Sequence, residues 1–133
     1  MVNHPEDDVW KRKLDWKTKP FTFRYAQPPE YRYSLDSIEL MWRLGTFLRS
    51  VSQPAEKLRV LDLCCGCGVL GFELHYWIAE KIESAVFADV QQEYENYFET
   101  NRKITGTADK PFQFRCINYR DIPQLSEFKE RFN

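Results

Sequence analysis

The chain has 133 residues, of which 43% are hydrophobic and 16% aromatic, and its formal net charge at pH 7 is −1. A chain of this length can bury one hydrophobic core but hardly two. The near-neutral charge excludes a polycation built as a whole to hold nucleic acid. No run of 18 apolar residues occurs, and no apolar stretch follows a basic one at the N-terminus. We therefore expect a soluble, cytoplasmic protein without membrane contact.

Residues 1–33 contain four of the seven prolines and show little periodicity, which predicts an extended N-terminal arm before a domain spanning residues 34–133. Between Trp10 and Arg32, seven Lys or Arg residues are interleaved with six aromatic residues. Cations and aromatics together can bind phosphates and stack bases, so the arm is a candidate RNA-binding segment. The alternative is a solvated basic arm whose aromatic residues lie on the surface of the domain.

Apolar residues at helical spacing predict a helix from Ser34 to Val51, with Ser34 as its N-cap and Pro54 beyond its end. We expect this helix to pack onto the unit that follows. The apolar face consists of Leu35, Ile38, Met41, Trp42, Gly45 and Leu48.

A short strand, a glycine-punctuated turn and a helix then follow one another. Arg59 to Leu63 is short, apolar and β-rich, and the pattern from Val69 to about Lys81 is helical. The turn between them reads Gly66-Cys-Gly-Val-Leu-Gly71, a G-x-G-x-x-G motif in its expected strand-to-helix context. Such glycines permit a tight turn and close approach of a ligand, which predicts a binding site for a nucleoside-containing molecule.

The rest of the chain continues the alternation. Ser84 to Asp89 reads as a second strand, Gln91 to Thr105 as a helix, and Phe112 to Asn118 as a third strand. A last amphipathic turn is expected from Ser126 to Phe132. This order predicts an α/β fold with a Rossmann-like parallel sheet and flanking helices.

Three carboxylates follow or end the three strands, at Asp62, Asp89 and Asp121. Because the carboxyl ends of parallel strands meet at one edge, we expect these acids near a single crevice. A nicotinamide dinucleotide would be served by the glycines and by Asp89 about 20 residues later. However, Asp62 would repel a pyrophosphate at the turn. S-adenosylmethionine has an ammonium group and no phosphate, and fits better.

These residues resemble a known family. The segment from Val60 to Gly71 resembles the first motif of Rossmann-like S-adenosylmethionine-dependent methyltransferases, and Ala88 to Tyr94 and Tyr119 to Ile122 look like their second and third motifs. Residues Gln27 to Ile38 are similar to the segment that precedes the domain in tRNA adenine-N6 methyltransferases. The resemblance covers roughly residues 24–122, and it implies the first three strands of a seven-stranded methyltransferase fold.

The resemblance also implies roles in binding S-adenosylmethionine. The backbone from Gly66 to Gly68 would cradle the methionine part, and Asp62 would orient the amino group. Asp89 would accept hydrogen bonds from both ribose hydroxyls, with Val90 beside it, and Asp121 would accept one from the adenine amino group. Carboxylates suit these roles because they only accept hydrogen bonds.

Some of these residues have simpler explanations, and one departs from the family pattern. Asp121 can instead cap a turn, and Asp89 can be an acid at a helix N-terminus. Cys64 is included in the candidate site, but it stands where the family usually has its first glycine.

The cysteines suggest further alternatives. Cys64-x-x-Cys67 between a strand and a helix has the layout of a redox site, but that role leaves the glycines and the acids unexplained. A structural zinc would need a second spaced pair of ligands, which the sequence lacks. We therefore predict no metal site. The cysteines are expected to be small residues that a tight turn tolerates.

The sequence contains no Asn-Pro-Pro-Tyr type motif, which handles the acceptor amine in the family that it resembles. The catalytic residues are therefore not identified. We expect that the chain is the N-terminal part of a longer methyltransferase, or that a second chain completes its sheet. The predicted function is the cofactor-binding half of a methyltransferase acting on an adenine amine in RNA; the alternatives are a non-catalytic binding module and an NAD-dependent oxidoreductase.

Overall fold

The computed structural model describes residues 22–30, 35–51, 57–125 and 128. The helices and strands within these ranges alternate along the chain, as the sequence predicts. They are α1 (Leu35–Ser50), β1 (Leu58–Leu63), α2 (Val69–Ile78), β2 (Ile82–Asp89), α3 (Tyr94–Ile104) and β3 (Phe112–Cys116). Two 3-10 turns, Ala79–Lys81 and Tyr119–Gln124, follow α2 and β3.

The three strands form one parallel sheet in the order β1-β2-β3. The pairing places Leu61 beside Val86 in one ladder and Phe87 beside Phe114 in the other. Since all three strands run parallel, their carboxyl ends meet at one edge of the sheet, where loops can build a binding site. The prediction of a Rossmann-like parallel sheet with flanking helices is confirmed.

Aromatic side chains form the core between the sheet and the helices. The ring of Phe72 from α2 lies 4.9 Å from that of Phe87 on β2 and 5.5 Å from that of Phe98 on α3. The three residues are at most 1% exposed. Full burial of such rings is worth about 2–3 kcal/mol each, so this cluster fixes how α2 and α3 sit on the sheet.

The element boundaries differ slightly from the prediction, for local reasons. The helix predicted from Gln91 begins at Tyr94, because a turn comes first: the N–H groups of Tyr94 and Glu95 donate to carbonyls only three residues back. Strand β2 begins two residues before the predicted Ser84. Strand β3 ends at Cys116, where the chain turns toward the 3-10 segment.

Two features surround the open edge of β1. Within the described residues, β1 pairs only with β2, which leaves its other edge unpaired. Apolar side chains of α1 are exposed along one stripe, and they are Leu40, Leu44 and Phe47, with Val51 just beyond the helix end. A second copy or a further segment that completes the sheet remains a prediction.

Several predicted features lie outside the described residues. These include the Ser34 N-cap, Pro54, and most of the arm and of the segment from Ser126 to Phe132. Phe128 is described and is buried, with the Arg115 guanidinium 5.5 Å from its ring centre. Across the part of the chain that the structure describes, every helix is too short or too polar to cross a membrane.

Candidate functional site

The glycine turn adopts a backbone that few residue types tolerate. Gly66 and Gly68 have φ values of 53° and 85°, in the left-handed region where glycine carries no steric cost. Cys64 also has a positive φ, at 55°. A side chain in this region costs about 1–2 kcal/mol. Cys64 therefore takes the conformation expected of the glycine in the family pattern, and the next residue is fixed by a hydrogen bond from the Cys65 N–H to the Ala88 carbonyl at 3.0 Å.

Asp89 ties this turn to the end of β2. Its Oδ2 accepts a hydrogen bond from the Gly66 N–H at 2.9 Å, and its Oδ1 accepts one from the Gln91 N–H at 3.0 Å. The residue is only 8% exposed. An ionised carboxylate offers about four acceptor sites, so each oxygen retains capacity for one more donor. Asp89 thus shapes the turn and remains able to receive hydroxyl groups.

Asp62 occupies the other side of the turn. Its Oδ2 accepts a hydrogen bond from the Gly71 N–H at 3.2 Å, in the first turn of α2. Burial raises the pKa of Asp62 to about 7; the Gly71 hydrogen bond opposes this increase, and the charge of Asp89 adds to it. Near neutral pH this carboxyl group is therefore poised between its two protonation states, and a nearby cation would favour the ionised form.

A cleft of about 350 Å³ opens at the carboxyl edge of the sheet. This volume lies within the range of small-molecule sites. Two of its side chains, Val90 and Tyr119, are 62% and 56% exposed and offer apolar surface to a flat ring. The lining residues are Leu63, Cys64, Ala88, Asp89, Val90, Ile117, Asn118, Tyr119 and Arg120.

The structure brings together only part of the predicted site. Cys64, Asp89 and Val90 line the cleft, and Gly66 lies against Asp89 through its N–H. The Gly68 N–H donates to the Cys65 carbonyl, which closes the turn behind the cleft. Asp62 lines a separate apolar depression between α1, β1 and α2.

The prediction of one crevice shared by all three acids therefore does not describe the cleft. Asp121 is exposed and does not line it, because its place in the 3-10 turn follows the lining residues. The Asp121 N–H donates to the Asn118 carbonyl within this turn. Hydrogen bonding of Asp121 to an adenine amino group stays a prediction.

Sequence reasoning missed Asn118, Tyr119 and Arg120 as lining residues. The Asn118 side chain caps the 3-10 turn by accepting a hydrogen bond from the Arg120 N–H at 3.0 Å. The signal for these residues was available: the first residues after a parallel strand face the crevice, and Asn118 directly precedes the motif that begins at Tyr119. The emphasis on acids favoured Asp121 instead.

All four cysteines are present as thiols. Burial raises the pKa of Cys65 far above its ordinary value, and burial raises that of Cys67 to about 11. A redox site depends on a thiolate with a depressed pKa, so these two cysteines are poorly suited to that role. Among the described residues, no three metal-binding side chains come together.

Solved structures with a similar fold include several methyltransferases. A SAM-dependent methyltransferase from Agrobacterium tumefaciens aligns with a TM-score of 0.54 and 15% identity, over 69% of this chain and 29% of its own. The C-terminal domain of precorrin-6Y C5,15-methyltransferase from Rhodobacter capsulatus aligns with a TM-score of 0.51 and 11% identity, over 76% of this chain and 48% of its own. The three parallel strands and their flanking helices thus match part of the Rossmann-like fold of these two proteins.

A ribosomal protein L11 methylase from Lactobacillus delbrueckii subsp. bulgaricus shares the methyltransferase fold as well. It aligns with a TM-score of 0.50 and 18% identity, over 77% of this chain and 51% of its own. The chain thus spans between about a third and a half of the length of these structures. No protein-family model matches the sequence, and the search of curated proteins finds no similar sequence.

Proposed function

We propose that this chain binds S-adenosylmethionine and forms the cofactor-binding part of a methyltransferase. One observation carries the proposal: two backbone N–H groups of the glycine turn already donate to the chain's own carboxylates. The Gly66 N–H is held by Asp89 and the Gly71 N–H by Asp62. A phosphate would need such N–H groups for itself and would meet two carboxylates. The turn is suited to a nucleoside ligand that carries positive charge.

The residues of the cleft fit the adenosine part of this ligand. The two Asp89 oxygens each have room for one hydroxyl donor, which matches the paired hydroxyls of a ribose. Val90 and Tyr119 offer apolar surface for the adenine ring. Asp62 lies outside this cleft, in the depression on the other side of the turn, but the charge of Asp89 acts on it. It is the group proposed to hold the ammonium, since an opposite charge would stabilise its ionised form.

When bound, S-adenosylmethionine supplies an activated methyl group on a sulfonium. The chain's task is to fix the ligand's position, because in-line transfer depends on alignment and needs no covalent nucleophile from the protein. The turn around Gly66 and Gly68 is held by hydrogen bonds to Asp89 and to the Cys65 carbonyl, so its shape is set before the ligand arrives.

The proposed acceptor is an adenine amine in RNA. The resemblance of Gln27 to Ile38 to tRNA adenine-N6 methyltransferases supports it, as does the basic and aromatic composition of the arm. Two aromatic residues of the arm are engaged in the fold: Tyr25 is 7% exposed, and the Phe23 ring lies 5.7 Å from that of Tyr76. The cations of residues 11–19 are therefore the proposed RNA contacts.

Calorimetric titration of S-adenosylmethionine into the wild-type chain tests the cofactor. We expect saturable binding, and we expect Asp89→Asn to weaken it at least tenfold, because one hydroxyl acceptor and the charge are lost. Asp109→Asn is the matched control, because it makes the same chemical change at an exposed residue outside the cleft. Absence of binding by the wild type, or equal binding by all three proteins, would refute the proposal. Titration with NAD identifies the oxidoreductase alternative.

RNA binding requires a separate measurement. Substituting Lys11, Arg12 and Lys13 by glutamine should weaken binding of a tRNA and reduce its salt dependence, since fewer counterions would be released. Affinity that does not change would leave the arm as a solvated segment. Cofactor binding that persists without any RNA binding would favour the non-catalytic module.

A further inference from the structure

Side chains satisfy two backbone groups at the start of α2. The Gly71 N–H belongs to the first helical turn, where N–H groups have no intrahelical partner. It donates to Asp62, and the carbonyl of Cys67, just before the helix, accepts from Asn101 Nδ2 at 3.0 Å. Two side chains, one from β1 and one from α3, therefore hold the start of this helix.

Asn101 makes two further hydrogen bonds, both to the segment that enters the domain. Its Oδ1 accepts from the Ala26 N–H at 2.8 Å, and its Nδ2 donates to the Ala26 carbonyl at 3.1 Å. The residue is fully buried, with 0% exposure. One carboxamide thus joins residue 26 to residues 64–68, the part of the glycine turn before α2, which we call the ligand turn.

Residues 22–26, which we name the strap, have a second buried anchor. The carboxylate of Glu73 on α2 is 1% exposed. It accepts hydrogen bonds from the Thr22 N–H at 2.7 Å, from the Thr22 hydroxyl at 3.1 Å and from the Tyr25 hydroxyl at 2.9 Å. The ring of Tyr25 also stacks on Phe72 in the core. The strap is therefore held at both ends by buried polar side chains.

We propose that Asn101 is a positioning residue for the ligand turn, and that the strap sets the shape of this turn through Asn101. The Ala26 N–H and carbonyl fix which side of the carboxamide carries oxygen and which carries nitrogen. That orientation directs Nδ2 to the Cys67 carbonyl. Without the strap, two of the three groups bonded to this buried amide are lost, and its hold on Cys67 weakens. The part of the proposal that concerns ligand affinity rests on the proposed binding of S-adenosylmethionine.

Amide hydrogen exchange in the ligand-free chain tests the positioning role directly. In Asn101→Leu, the Gly68 amide, which donates to the Cys65 carbonyl, should exchange at least tenfold faster. Lys81→Met is the control: its buried ammonium serves the end of α1, away from the turn, so the Gly68 rate should stay within twofold of wild type. Equal acceleration in both variants, or in neither, would overturn the role of Asn101.

Asn101→Asp provides a second variant that preserves the shape of the side chain. Its oxygen can still accept from the Ala26 N–H, but an ionised carboxylate cannot donate to Cys67. Protonation restores a donor, so the excess exchange of Gly68 over wild type should shrink as the pH is lowered from 8 to 5. An excess that does not depend on pH would contradict the assigned hydrogen bond.

Coupling to the strap is measured by a double-mutant cycle on the affinity for S-adenosylmethionine. Asn101→Asp should weaken binding by tenfold or more. The strap variant, which combines Thr22→Val with Tyr25→Phe, should weaken it by about threefold. Their combination should weaken it less than the product of the two, because both act on the same contact. Strictly multiplicative effects would overturn the coupling. If the wild type does not bind the ligand, the proposed function fails, while hydrogen exchange still decides the role of Asn101.

Discussion

Replacing Asp62 by asparagine should change how the stability of this protein depends on pH. Burial raises the pKa of Asp62 from its ordinary 3.8 to about 7 in the folded state. Between these two values the folded chain holds a proton that the unfolded chain has released, so the wild type loses stability as the pH rises from about 4 to 7. The difference corresponds to at most about 4 kcal/mol. Asparagine remains neutral and still offers an oxygen to the Gly71 N–H, so Asp62→Asn should not show this loss.

Urea denaturation of both proteins at pH 4.5, 6 and 8 measures this effect. The free energy of unfolding of the variant minus that of the wild type should increase steadily over this range. Taking this difference cancels the contributions of the other titrating groups, which both proteins share. Asp109→Asn makes the same change at an exposed site and should give a difference without this trend. A constant difference for Asp62→Asn would refute the effect of burial on this carboxyl group.

The same carboxyl group links ligand binding to protons. If an ammonium group binds beside Asp62, it selects the ionised form, and binding below pH 7 releases a proton. The apparent affinity for S-adenosylmethionine should then rise up to tenfold per pH unit between about pH 5 and 7 and level off above this range. Calorimetry in two buffers with different ionisation enthalpies counts the proton. No proton release at pH 6 would show that the ammonium group lies elsewhere.

Further predictions concern stability. Gly71→Ala should destabilise the protein by about 2–3 kcal/mol, since the added methyl would overlap the Phe87 ring, with 2.8 Å to Cζ. Gly66→Ala, whose methyl meets nothing closer than 3.8 Å but whose φ of 53° strains any side chain, should cost about 1–2 kcal/mol in the same thermal unfolding assay; a cost at Gly71 below this range would refute the packing effect. Cys64→Gly should leave stability unchanged or raise it by up to about 1 kcal/mol, because the positive φ of 55° no longer strains a side chain; a large loss would show that the thiol is structurally needed. Lys81→Met should lower the melting temperature, because the C-terminal carbonyls of α1 lose a buried donor, and an unchanged value would contradict this.

The sequence predicted the architecture because its signals are local. A short apolar run before glycines and a helical pattern after them specify strand, turn and helix without knowledge of distant residues. The positions of Gly66 and Gly68 and the carboxylate at the end of β2 follow from the same local rules. Even the resemblance to methyltransferases, which the similar solved structures support at the level of the fold, rests on contiguous motifs.

Only the tertiary structure decided which residues meet. A 3-10 turn places Asn118 and Tyr119 at the cleft, whereas the contact of Asp121 with an adenine amino group stays a prediction. Asn101 carries no sequence signal, since a polar residue in a helix usually faces solvent. Its hydrogen bonds to residues 67 and 26 connect positions 34 and 75 residues away. Local patterns fix elements, whereas pairing of buried polar groups depends on long-range packing, and this packing joins the strap to the ligand turn.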